Sequence, residues 1–517
     1  MSRRLFPRPA SRGEAARLRA IGSRAAERPS AVREGRGRSE GGAKRRVRGV
    51  LRTHAPAHPS PWLAARACPS PREAGRGKIN CPSISAFVRM MSGVFLLACF
   101  ASPAFAQNLL IRNATVHTAT TRGTLQNTDI LVRNGRIAAV GSGLSANDTQ
   151  VIDAQGKPVT PALFGGITDI GLEEVSGEDA TTDASLALGK DAKDMVVRPE
   201  FDVTLAYNPD SVLVPVTRIE GIGFTLLGAG PVAGGSIIGG QGAVMRLDGS
   251  ADPAGPKLLF VQLGSDAADL TGSTRAAQWM LLDQLIDELR GRIPPSSDMA
   301  LLTPAGRTAL TRYVYGGGRI VVGVHRAADI RQLLRWSRRH GVRIAVAGGA
   351  EAWKLADELA AAKVPVFVDP LANLPNDFDQ LGASFENAAR LRAAGVAVGF
   401  TQAGDASHNA RKIRQLAGNA VAHGLPWEDG LAGLTRVPAE AFGVGDAVGT
   451  IAPGKRADLV LWDGDPLDVA SLAQRVWLDG RAIPMRSRQT ELRDRYLRAA
   501  PDAERGELPR AYPAGVR

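Results

Sequence analysis

The feature that most constrains this chain is a long alternation between residues 161 and 444, where apolar runs of strand length are separated by stretches with helical periodicity. The strand candidates are ALFGGITDI, GFTLLGA, LLFVQLG, RIVVGVH, RIAVAG, VPVFVD and VAVGFT; helical patterns fill 273–291, 327–340, 351–362, 385–393 and 408–423. Strands that alternate with helices predict a parallel α/β sheet. A (β/α)8 TIM-like barrel over 161–444 fits that length, with a doubly wound open sheet as runner-up.

Shorter β patterns flank the alternation. Residues 107–160 contain NLLIRNATVHT, then NTDILVRNGRIAAVG with Asn134-Gly135 as a hairpin signal, then QVIDAQGKPVT. A second patch, GTIAPGKRADLVLWDG and QRVWLDGRAIP, lies within 445–485. Together the two patches predict one small β-sandwich built from both ends of the chain. Residues 486–517 read as a charged helix and a solvated tail.

The net charge of +13 suggests a nucleic-acid partner, but its distribution argues otherwise. Residues 1–89 hold 21 Lys and Arg against 5 Glu, leaving 43 basic and 46 acidic residues in the rest. A near-neutral body cannot neutralise phosphates, so no nucleic acid is expected. The Arg-, Pro- and Ala-rich leader 1–89 reads as disordered, or as translated upstream DNA with the true start at Met90 or Met91. MSGVFLLACFASPAFA follows, and 90–106 has the outline of a secretory signal with an A-x-A cleavage site at Ala104 and Ala106. It is too short for a stable membrane anchor, and the expected location is periplasmic or secreted. Cys68, Cys81 and Cys99 all precede the cut, so the mature chain has no disulfide, zinc finger or thiol nucleophile.

Several segments then carry a resemblance. VIDAQGKPVTPALFGGITDIG is similar to the segment by which amidohydrolases enter their first barrel strand. GTIAPGKRADLVLWDGDPLDV with VWLDGRAI closely resembles that superfamily's C-terminal signature. GGAEAWKLADELAAAKVPVFVDP and VHRAADI resemble its imidazolonepropionase-like branch, and the likeness spans about 108–485. The resemblance implies metal-assisted hydrolysis of carbon–nitrogen, non-peptide bonds such as those of cyclic amides. It implies ligands at strand ends: an H-x-H after strand 1, a His after each of strands 5 and 6, and an Asp after strand 8.

This chain departs at nearly every such position. Ile167-Thr168-Asp169 stands where H-x-H is expected, Gly323 at the strand-5 position and Gly348 at the strand-6 position. A register shift of two would make His325 the strand-5 ligand. At strand 8, Gly404 aligns without a gap and Asp405 with a one-residue shift. After residue 107 the histidines are His117, His325, His340, His408 and His423, with none from 118 to 324. His340 and His423 close helices beside Gly, leaving His325 and His408 to face the mouth. A two-zinc cage wants about three or four imidazoles. The expected site is therefore a vestige, with Asp169, His325 and Asp405 as catalytic candidates holding either no metal or a single zinc-like ion weakly.

Other constellations are weaker. Glu173, Glu174, Glu178 and Asp179 follow the first strand as a candidate carboxylate pair, against a plainer reading as solvated loop residues. The run GAGPVAGGSIIGGQG (228–242) matches no phosphate-loop spacing and reads as a strand-2 loop and hairpin; Ser236 within it has no nearby base. Trp279, Trp336 and Trp353 lie on helical patterns as packing residues. Two functions compete: a diverged hydrolase of a small amide-type ligand, or an inactive barrel that binds such a ligand or joins a homo- or hetero-oligomer with an active relative.

Overall fold

The computed structural model describes residues 108–498 except 176, 187–196, 233–234 and 405. The leader, the export segment and the tail beyond 498 lie outside the described residues.

All seven strand candidates form. Five are neighbours in parallel register: Leu258–Gln262, Arg319–Val324, Arg343–Gly348, Val366–Val368 and Val398–Phe400. The other two, Leu163–Thr168 and Ile222–Leu227, pair in parallel with each other. Alternate residues face two different cores, as the period of 2 requires. Leu259, Val261, Ile320, Val322, Ile344 and Val346 pack outward with the helices. Phe164, Phe224, Phe260, Val321, Ala345 and Phe367 share an inner cluster with Phe442, whose ring stacks on Phe367 at 4.6 Å. Both faces are buried, which is why these strands read as continuous apolar runs.

A strict eightfold parallel repeat is not what forms. Between the two parallel groups the chain runs down as Ile238–Gly242 and Val244–Arg246, antiparallel to Leu258–Gln262 on one side and to Ile222–Leu227 on the other. The third place is thus reversed. No pairing joins Val398–Phe400 to Leu163–Thr168 among the described residues. The glycine content has a steric reason: a Cβ at Gly239 would fall 2.3 Å from the Ala229 oxygen, and one at Gly242 2.0 Å from the Leu227 oxygen.

Helices follow their local signals. Thr274 and Thr303 cap Arg275–Leu289 and Pro304–Val314 through backbone N–H groups, with Pro304 in the first turn. Ala327–His340 ends on Gly341 in left-handed conformation. Arg488–Arg498 is the expected charged helix.

Both chain ends build one unit, an eight-stranded sheet whose strands are all joined by hydrogen bonds and share one core of Leu109, Ile130, Ile137, Leu459 and Trp477. The Asn134-Gly135 hairpin closes Thr124–Arg133 on Arg136–Gly141, both turn residues at positive φ. Leu459–Trp462 pairs antiparallel with Pro158–Pro161, and the Trp462 indole donates to Thr160 Oγ at 2.9 Å.

Candidate functional site

The C-terminal ends of the parallel strands open on a cavity of about 330 Å³. Asp169, directly after the first strand, and His325, directly after Arg319–Val324, both line it. Asp169 is held by its backbone: its N–H donates to Ser407 Oγ at 2.8 Å, and its carbonyl accepts from Leu172 and Glu173. Asp405 lies outside the described residues. His408 is not among the lining residues; His117 sits in the peripheral sheet, and His340 and His423 stand at helix C-terminal ends as expected.

The two strand-end glycines explain the site's shape. A Cβ at Gly323 would stand 1.9 Å from Gln262 Oε1, so the Gln262 carboxamide occupies the space a side chain there would need. A Cβ at Gly348 would stand 2.5 Å from His325 Cε1 and 2.8 Å from Nε2, so the imidazole fills that space. Gly348 also has φ +87 and is followed by Gly349 at +53, a backbone that L side chains adopt only with strain. The implied imidazole at 348 is therefore excluded by backbone conformation as well as by volume.

These facts test the fit of a metal. Carboxylate and imidazole suit a zinc-like ion, but the two imidazole positions are built over by neighbours. Among the described residues no group of three or more His, Cys, Asp or Glu is arranged to hold one. The described donor set does not fit a metal centre.

Two lining residues escaped the sequence reading. Gln262 ends the LLFVQ strand as its single polar residue. Asp369 follows Val366–Val368 and accepts from the Leu371 and Ala403 N–H groups at 2.9 and 3.0 Å. Glu173, Glu174 and Glu178 do not line the cavity: Glu173 Oε1 is buried without a partner, and Glu174 accepts from Asn208. Ser236 is buried and, among the described residues, its hydroxyl bonds along its own loop, to Ile238. Trp336 is buried in the outer core, and Trp353 lies under the Arg390 guanidinium at 4.3 Å.

The rim is tied down by ions. Buried Asp379 accepts from the Ser265 N–H and hydroxyl and pairs with Arg275; buried Glu351 accepts from Ala327 N–H, Gly382 N–H and Lys354. Burial raises both carboxyls, but these bonds and cations outweigh it and hold each below the usual carboxylate range.

Comparison with known proteins agrees with this scaffold. Residues 328–485 match the amidohydrolase family. An amidohydrolase from Thermotoga maritima superposes with a TM-score of 0.63 at 26% identity, over 73% of this chain and 100% of that one. A triazine hydrolase from Arthrobacter aurescens is looser, at TM-score 0.43 and 17% identity over 75% and 97%. The amidohydrolase tasK of Hapsidospora irregularis is 40% identical over 74 residues, which is 14% of this chain and 8% of that protein. That match spans under a tenth of the relative's length.

Proposed function

Because the chain belongs to the amidohydrolase superfamily, we propose that its cavity takes a small amide-type molecule and hydrolyses a carbon–nitrogen bond in it, with metal dependence weakened or lost. The observation that carries this reading is the occupation of two implied ligand positions by Gln262 and His325, polar residues that both line the cavity. Water would add to the amide carbonyl carbon. His325 takes the water proton as the C–O bond forms and returns it to nitrogen as the C–N bond breaks, giving an acid and an amine. Asp169, on the same cavity, orients that water or the imidazole. The scaffold is taken as the superfamily's barrel with one strand reversed, working in the periplasm or outside the cell.

The test is turnover of a panel of amides, lactams and cyclic dipeptides before and after chelation. Activity should survive chelation and fall by roughly a hundredfold or more in His325→Ala. Activity unchanged by His325→Ala and Asp169→Ala, or abolished by chelation and restored by zinc, would remove the reading.

A second reading, an inactive barrel serving as ligand-binding partner of an active relative, is favoured by Gly348, whose backbone leaves no place for a ligand side chain. A native mass showing monomer alone, with no co-purifying partner, counts against its subunit form.

A further inference from the structure

We propose that Gln262 is the specificity residue of this cavity and that it selects a cis amide: a lactam, an imide or a cyclic dipeptide. The inference rests on the amide-ligand reading above and narrows its substrate class.

The Gln262 carboxamide is fixed in place by a missing side chain. An ideal Cβ at Gly323 lies 1.9, 2.8 and 3.1 Å from its Oε1, Cδ and Nε2, so the whole amide plane rests over the Gly323 backbone. Neighbouring glutamines on the cavity are already engaged: Gln402 donates to the Asn409 carbonyl at 2.8 Å and Gln380 to Asp377 at 2.9 Å. Among the described residues the Gln262 carboxamide has no side-chain hydrogen bond, at either end of its amide. His325 lines the same cavity, and its Nδ1 is buried without a partner. Ile167, Phe260 and Ala347 supply apolar walls.

A carboxamide holds its C=O and one N–H side by side, and the direction of that pair is its chemical information. A cis amide presents the same pair in reverse, so the two groups close a ring with two hydrogen bonds. An acyclic secondary amide is trans, with C=O and N–H on opposite edges, and engages one at a time. A ring enforces the cis form. A site that leaves polar groups unpaired for a ligand rejects analogues that cannot pair with them.

The probes are 2-piperidone, N-methyl-2-piperidone and N-methylacetamide, with binding to the full chain measured by ligand-observed NMR. The lactam should bind about tenfold or more tightly than either analogue, the worth of roughly one to two hydrogen bonds. Gln262→Leu should erase that preference. Gly323→Ala should erase it too, by placing a methyl where the carboxamide lies, with the urea unfolding midpoint near wild type. Equal or absent binding of all three, or a lactam preference that survives both variants, overturns the proposal. Binding separates the two readings: a Gln262-dependent lactam preference without turnover upholds this inference and defeats the hydrolase. Turnover of acyclic amides that ignores Gln262→Leu does the reverse.

Discussion

Gly348→Ala probes two separable strains at one atom. The first is backbone: φ +87 costs an L residue about 1–2 kcal/mol. The second is contact: the new Cβ would stand 2.5, 2.8 and 3.1 Å from Cε1, Nε2 and Nδ1 of His325, well inside the roughly 3.5–4 Å of an ordinary contact. The ring must turn away, at about 0.5–1.5 kcal/mol for a poor rotamer. The substitution should therefore destabilise by roughly 2–3 kcal/mol in wild type. In a His325→Ala background only the backbone share should remain. Urea unfolding of wild type, both single variants and the double variant closes the cycle, with an expected coupling near 1 kcal/mol. Additivity within about 0.4 kcal/mol would refute the claim that the imidazole occupies the place of a side chain at 348. Wild-type stability in Gly348→Ala would refute the backbone share as well.

Glu288 has no side-chain exposure, accepts from the Leu301 and Leu302 N–H groups and pairs with Arg307 at 2.8 Å. Glu288→Ala should cost about 3–5 kcal/mol in urea unfolding, because it removes the counter-charge of the Arg307 guanidinium, which among the described residues keeps only the Glu288 and Ile293 carbonyls, and leaves two N–H donors unpaired. Arg414 donates to the carbonyls of Pro466, Asp468 and Ser471, and Arg414→Met should raise protease cleavage in 463–471 with a loss of about 2–4 kcal/mol. The Asp379 and Glu351 carboxyls titrate below their usual range, so the stability they add is present above about pH 5 and is lost as the pH falls below about 4. Hydrogen exchange in 369–386 should rise across that window before exchange in the strands does, and Asp379→Asn should flatten the change. Chelation followed by zinc should leave the thermal midpoint unmoved, within about 1 °C, since a stoichiometric stabilising ion would shift it.

The central strands and most long helices were legible because burial on both faces leaves uninterrupted apolar runs, and helical periodicity separates them. The run 228–242 reads as a loop and hairpin, but its place as a reversed strand of the central sheet does not show, because Gly239, Gly240 and Gly242 look like turn residues; their need for close approach to Ala229, Phe201 and Leu227 exists only in three dimensions. Pro304–Val314 went unread although Thr303-Pro304 is a sound cap signal. Of the site, His325 emerged from a count of histidines. Gln262 did not, since one polar residue closing an apolar run carries no signal until Gly323 is seen beside it, 61 positions away in sequence.

The peripheral sheet sets an order of events on the ribosome. Pro158–Pro161 is made early, yet its partner Leu459–Trp462 emerges only after the whole central domain, and the indole bond between them spans 302 positions. Until then the early strand keeps an open edge, the kind that recruits other chains. Pairing over so long a separation makes assembly slow for this part of the fold. A message truncated just before codon 459 would release a polypeptide whose central domain is nearly whole and whose first sheet can never be finished, a natural substrate for quality control.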